Sequence, residues 1–233
     1  EAADGTPLVT TLPAGAQAGD VLITVVTPPS GPAITVSYTL QASDIAAGTV
    51  TQTITSAQLT AGGNGSWTAS ATLTDTAGNA SPAATGSFTL DTTAPAATGA
   101  LTATAPNDSG TLGDNITSNV TPSIGGTTEP GASVSVVING RTYTTTADAT
   151  TGVWSITTNT LVDGSYTPAI TVTDLAGNTT TANGTAFTVD TTAPAISLST
   201  VVDNVPGITG NLASGATSND STPTLTFTAE AGS

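Results

Sequence analysis

Cysteine, histidine, lysine and methionine are all missing from this chain, and Arg141 is its only cation. Each absence removes a class of function. Without cysteine there are no disulfide staples, so rigidity has to come from packing or from metal. Without histidine, cysteine or lysine there is no Ser-His, Cys-His or Ser-Lys pair to activate a nucleophile. Two carboxylates can cleave a glycosidic bond, but aromatic platforms for sugar are scarce at 3% of residues, and enzymatic activity is not expected. A single cation cannot neutralise a phosphate backbone, which excludes nucleic acid as a partner. Anionic membrane surfaces are excluded by the same argument. No basic leader and no long apolar run is present, so neither a signal peptide nor a membrane-spanning helix is expected. With no methionine at position 1, the chain reads as a segment of a longer one.

Charged residues are 7% of the chain, against about 25% in an average soluble domain. Sixteen acids and one base leave a net charge of −15, so the position of each acid is informative. What the chain does have is glycine, proline, threonine and small aliphatic residues. That is the composition of many short strands with turns between them and cores of Val, Ile, Leu and Ala.

A repeat organises these strands. Thr74-Asp75-Thr76-Ala77-Gly78-Asn79 returns as Thr173-Asp174-Leu175-Ala176-Gly177-Asn178, and Asp91-Thr92-Thr93-Ala94-Pro95 returns as Asp190-Thr191-Thr192-Ala193-Pro194. Both recur after 99 residues, the mark of a tandem array. The period divides the chain into units 1–90 and 91–190 and an incomplete third unit, 191–233, with Asp-Thr-Thr-Ala-Pro at the joints.

In the first unit, 21–26, 34–40, 50–54, 67–73 and 87–90 alternate as strands. In the second, 101–105, 122–128, 134–138, 141–144, 153–156, 169–172 and 187–189 do so. Asn139-Gly140 between two of them is a strong hairpin signal. About seven short strands per roughly 100 residues is the pattern of an Ig-like β-sandwich. The expected fold is all-β, with tandem sandwiches joined end to end and no helix longer than one turn. The third unit holds only first strands, which cannot bury a core alone; another chain could complete it.

The Asp-x-Ala-Gly-Asn turn, the Asp-Thr-Thr-Ala-Pro joint, the run from Asp114 to Ala132 and the Asp163-Gly164-Ser165-Tyr166 run resemble the bacterial Ig-like repeats of giant type I-secreted adhesins of Gram-negative bacteria, the RTX adhesins. The first unit departs from the pattern, with Ala18-Gly19-Asp20 where Glu-Pro-Gly would stand. The calcium β-roll nonapeptide is absent, so the resemblance is to the extender region. It implies Ca²⁺ at the linkers, a location at the bacterial cell surface and type I secretion.

The residues point the same way. In such a sandwich Glu129 and Asp174 lie at the end where the chain enters, beside Asp91. Three carboxylates repel unless protonated or bridged by a cation, and an all-oxygen set suits Ca²⁺. Asp75 and Asp174 equally suit Asx-type turns that cap their own loops, and spacing alone leaves both readings open. A second candidate group is Asp108 and Asp114, with Asp190 at the exit end, for which a solvated acidic loop is the plainer reading. In the third unit Glu230 stands opposite Glu129, and Asp203 and Asp220 take the place of the second group. Asp44, Asp148 and Asp163 read as ordinary turn or surface acids. Trp67, Trp154 and Tyr166 sit in alternating strands and read as core.

The expected function is an extender: a rod of Ig-like domains, stiffened by Ca²⁺ at the joints, that projects a distal binding module for adhesion or biofilm formation. Its partners are the neighbouring domains of its own chain. The alternatives are a glycan- or protein-binding module, or a self-assembling fibre subunit.

Overall fold

Alternation of apolar and polar residues writes the strands of the first ninety residues directly. A computed structural model describes residues 5–207 and 209–229. It places β1 (Thr6–Thr11), β2 (Val21–Thr27), β3 (Ile34–Thr39), β4 (Thr49–Ile54), β5 (Gly65–Thr74) and β6 (Ala84–Leu90). They form two antiparallel sheets, β1-β4 and β3-β2-β5-β6. Leu22, Thr24 and Val26 turn to the inside of β2, and Val50, Gln52 and Ile54 to the inside of β4. Two clusters fill the space between. Val26, Ile54, Leu59 and Trp67 form one, and Leu22, Leu40 and Val50 the other. Trp67, fully buried, stacks on Phe88 with centroids 5.8 Å apart.

Thr24 and Gln52 lie in this interior, and Thr24 Oγ1 and both Gln52 amide atoms have no hydrogen-bond partner among the described residues. Burying an unpaired hydroxyl costs about 1–3 kcal/mol. Thr24→Val, which keeps the shape and removes the oxygen, is expected to raise the stability of this sandwich by about 1 kcal/mol. Urea denaturation followed by Trp67 fluorescence would read the change.

The expectation that no helix exceeds one turn is overturned. Two short helices flank β4: α1 (Ala42–Ala47) and α2 (Ser56–Gly62). Capping explains them. At α2, Thr55 Oγ1 accepts from the Gln58 N–H (3.3 Å) while Gln58 Oε1 accepts from the Thr55 N–H (2.9 Å), a capping box. Leu59 then anchors the helix in the core. At α1, Asp44 Oδ2 accepts from the Gln41 N–H (2.7 Å) and from the Tyr38 hydroxyl (3.0 Å). Asp44 is therefore a helix-capping residue rather than an ordinary surface acid.

The next hundred residues supply β7 (Ala100–Leu101), β8 (Ile116–Thr117), β9 (Ser123–Thr127), β10 (Ser133–Ile138), β11 (Arg141–Thr146), β12 (Val153–Thr157), β13 (Gly164–Tyr166), β14 (Ala169–Thr173), β15 (Thr179–Asn183) and β16 (Phe187–Val189). Sheet orders are β11-β10-β14-β15, β12-β9-β7 and β13-β16-β8. The β10–β11 hairpin turns at Asn139 (φ 50°) and Gly140 (φ 72°), both left-handed as a two-residue hairpin requires. Ile124, Val134, Val136, Ile170 and Val172 are fully buried, and Trp154 and Phe187 are buried as well. Tyr166 is only half-buried and donates its hydroxyl to the Val162 carbonyl at 2.8 Å.

The remainder forms β17 (Ile196–Asp203), β18 (Gly210–Asn211) and β19 (Thr224–Ala229), one sheet in the order β18-β17-β19. Ile196, Leu198, Leu225 and Phe227 stay exposed on it. Grouped by packing, the described chain falls into two compact units. Of the described residues, one comprises 5–99, 125–156 and 168–184, and the other 100–124, 157–167, 185–207 and 209–229.

Candidate metal centre

The Asp-x-Ala-Gly-Asn turn is where the candidate site begins. In its second copy the Asp174 N–H donates to the Asn178 carbonyl (3.0 Å), while Asp174 Oδ1 accepts from the Asn178 N–H and Oδ2 from Asn178 Nδ2, both at 2.8 Å. The turn fixes the carboxylate in one orientation at the end of β14. Asn178 Nδ2 also donates to the Asp91 carbonyl at 3.2 Å, which ties the turn to the Asp-Thr-Thr-Ala-Pro segment. The Glu129 carbonyl accepts from the Ala132 N–H at 3.1 Å in the tight turn before β10.

Asp91, Glu129 and Asp174 thereby converge. One carboxylate oxygen from each lies within 4.8 Å of the other two, with Asp174 buried, Asp91 half-buried and Glu129 exposed. Two oxygens that each sit about 2.4 Å from one ion lie at most about 4.8 Å apart, so the spacing fits a shared Ca²⁺. The donor set is all oxygen, as a hard cation requires. Burial pushes the Asp174 carboxyl up, but the hydrogen bonds from Asn178, Gly177 and Ala176 outweigh it and hold it below the usual carboxylate range. Asp174 is thus charged at neutral pH, next to two further acids.

A polar clamp that the sequence reading passed over holds the segment after Asp91. Asn64 Oδ1 accepts from the Thr92 N–H (3.2 Å) and hydroxyl (2.9 Å), and Asn64 Nδ2 donates to Asp91 Oδ1 (3.1 Å) and Thr93 Oγ1 (2.8 Å). Asp163, 99 residues on, does the same to Thr191 and Thr192 through contacts of 2.8–3.0 Å. Those bonds hold the Asp163 carboxyl below its ordinary value. Asp163 is therefore a clamp rather than an ordinary surface acid. The signal was available: Asn64-Gly65-Ser66-Trp67 aligns with Asp163-Gly164-Ser165-Tyr166.

A group with a depressed folded-state pKa contributes stability that is present above its unfolded value, about 3.9 for Asp, and lost as pH falls through the folded value. Asp75, Asp148, Asp163, Asp174 and Asp220 are all depressed. The chain is expected to lose melting temperature as pH drops below about 4, and Asp163→Asn is expected to lose less over that interval. Melting at pH 7, 5 and 3 checks both.

The other candidate ligands are not brought together into a three-acid group among the described residues. Asp75 is exposed and caps its own Asx-type turn, accepting from the Ala77 and Asn79 N–H groups and from Asn79 Nδ2. Asp108 is buried, with Oδ2 accepting from the Gly113 N–H at 2.5 Å. Asp114 is exposed and accepts from the Ile116 N–H, and Asp190 from the Thr192 N–H. Asp203 and Asp220 are buried and satisfy the 204–222 loop, Asp203 through Val205 and Ser218 and Asp220 through Asn204 and Thr222. Glu230 lies outside the described residues.

Comparison with protein families decides the identity of the sandwiches. One family model, described as a bacterial Ig-like domain, matches residues 95–191, and a second of the same description matches residues 21–92. The chain carries two bacterial Ig-like domains. Asp91 belongs to the end of the first match, and Glu129 and Asp174 to the second. No curated protein matches the chain. Among solved structures, a 1.5-MDa bacterial ice-binding adhesin is similar at 23% identity and a TM-score of 0.44, over 86% of this chain and 63% of that one. A Ca²⁺-stabilized adhesin of an Antarctic bacterium is similar at 26% and 0.32, over 86% and 53%. The BSP domain of a biofilm-associated protein is similar at 18% and 0.30, over 82% and 28%. The chain thus spans less than two thirds of each of these structures.

Proposed function

We propose that the chain is a structural extender of a bacterial cell-surface adhesin, in which Asp91, Glu129 and Asp174 bind one Ca²⁺ that stiffens the connection between the two Ig-like domains. The observation that carries the reading is the convergence of these three carboxylates on a chain whose only cation is Arg141. Tandem Ig-like domains and the motif resemblance to adhesin extender repeats support the adhesin context. No helix among the described residues is long and apolar enough to cross a membrane. On this reading the segment lies outside the cell, its immediate partners are neighbouring Ig-like domains, and a distal module, not this segment, takes the ligand. On the same reading Asp190 opens the same joint motif one period later.

Small-angle scattering in millimolar calcium and in chelator tests the proposal. The expected result is a longer, narrower distance distribution with calcium, and a broader one with chelator or with Asp91→Asn. Identical distributions in both solutions would overturn it.

A further inference from the structure

The loop that holds the Asp-Thr-Thr-Ala-Pro segment is built twice in this chain, with a different clamping side chain each time. Its anchors are the same in both copies. The Trp67 indole, on a fully buried ring, donates to the Gly63 carbonyl at 3.1 Å. The Tyr166 hydroxyl, 99 residues on, donates to the Val162 carbonyl at 2.8 Å. On the other side Gly65 pairs with Leu90 in the sheet, as Gly164 pairs with Val189. An aromatic side chain and the last strand thus fix the position between them, Asn64 in one copy and Asp163 in the other.

Both side chains grip the first threonine alike. Asn64 Oδ1 accepts from the N–H and hydroxyl of Thr92, and Asp163 Oδ1 from those of Thr191. They differ at the second atom. Asp163 Oδ2 accepts from the Thr192 hydroxyl at 2.9 Å and has no proton to give. Asn64 Nδ2 donates instead, to Thr93 Oγ1 at 2.8 Å and to Asp91 Oδ1 at 3.1 Å. The Thr93 N–H donates to the same Asp91 oxygen at 2.9 Å. Asp91 is therefore fixed through Oδ1 by two donors, while its Oδ2 accepts no hydrogen bond among the described residues. Asp190 Oδ1 has the matching backbone donor, the Thr192 N–H, and no side-chain donor from Asp163.

We propose, on the calcium reading above, that Asn64 is a positioning residue for the ligand Asp91, and that its carboxamide sets how strongly this joint depends on calcium. Affinity for the ion follows the charge and the rigidity of its ligands. The amide supplies rigidity without charge: it aims Asp91 before any ion arrives and offsets the crowding of three acids. A carboxylate at the same place would supply charge and repel Asp91 until a cation bridged them.

Asn64→Asp isolates this effect. It keeps the grip on Thr92, and the Thr93 hydroxyl can turn to donate as Thr192 does, so only the bond to Asp91 is lost. Asn64→Ala removes the whole clamp and adds no charge. Calcium alone is titrated calorimetrically into the full chain and both variants, with Glu129→Gln marking the heat that belongs to this site. Melting in chelator and amide exchange at Thr92 complete the set. Asn64→Asp is expected to keep Thr92 protected and to bind calcium about two- to fivefold more tightly. In chelator it should melt below the parent, and about 1 M salt should recover the difference by screening. Asn64→Ala is expected to expose Thr92, to bind calcium about two- to fivefold more weakly and to melt lower in both solutions. If the parent responds to calcium and both variants bind it as the parent does, the positioning role is overturned while the calcium site stands. If the parent takes up no calcium, the calcium site falls. The chelator arm then still decides the clamp: a loss in Asn64→Asp that salt recovers supports it, and melting equal to the parent overturns it.

Discussion

In about 10 mM calcium the second Ig-like domain is expected to melt roughly 5–20 °C higher than in chelator. An ion held by Asp91, Glu129 and Asp174 binds the folded arrangement and not the unfolded chain, so it stabilises by RT ln(1 + [L]/Kd). Extracellular sites of this type have Kd of about 10⁻⁴–10⁻³ M. At about 10 mM calcium the gain is then about 1.4–2.7 kcal/mol, and each kcal/mol moves a 100-residue domain by about 4–8 °C. Glu129→Gln supplies the decisive comparison, because Glu129 is exposed and its carboxylate caps no turn. In calcium the variant should melt below the parent, having lost a ligand. In chelator it should melt at or above the parent, having lost one of three mutually repelling charges. A variant that melts below the parent by the same amount in both solutions would show that Glu129 acts through packing and not through an ion.

Gly152→Ala is expected to destabilise the second domain by about 2–5 kcal/mol. Gly152 has φ 69°, and a Cβ built there would sit 2.0 Å from the Thr128 carbonyl oxygen. The left-handed conformation alone costs an alanine about 1–2 kcal/mol. The clash adds an overpacking cost of about 1–3 kcal/mol, because the atom in the way is backbone and cannot rotate aside. Gly152 also accepts the Thr128 N–H through its carbonyl at 2.9 Å, so relief of the clash must move Thr128 and with it Glu129. The variant is therefore expected to lose calcium response as well as stability. Melting with and without calcium measures both. A variant as stable as the parent would mean that the Thr128–Pro130 turn gives way freely.

The strands were legible because their side chains alternate over five to eight residues, and Asn139-Gly140 marked its hairpin because both residues tolerate positive φ. The helices leave no such mark, because six- and seven-residue segments show too little periodicity to register. The capping pattern Thr55-Ser56-Ala57-Gln58 was present and would have found α2. In sequence Asp163 reads as an ordinary surface acid because its partners, Thr191 and Thr192, lie 28 and 29 residues away. Asp75 and Asp174 carry the same turn, yet among the described residues only Asp174 has two further acids beside it. No local rule separates them, since the difference lies in what the rest of the fold brings near.

The sequence by itself determined the class of this protein. The 99-residue period, the strand alternation and the lack of nucleophile-activating residues, disulfides and all but one cation are properties of the chain read in one dimension. They follow from side-chain chemistry and period alone. Only the tertiary structure decided which acids meet. The 4.8 Å grouping of Asp91, Glu129 and Asp174 joins residues 38 to 83 positions apart. That grouping depends on contacts distant in sequence, and those are set by how sheets pack against one another, not by the propensity of any single segment.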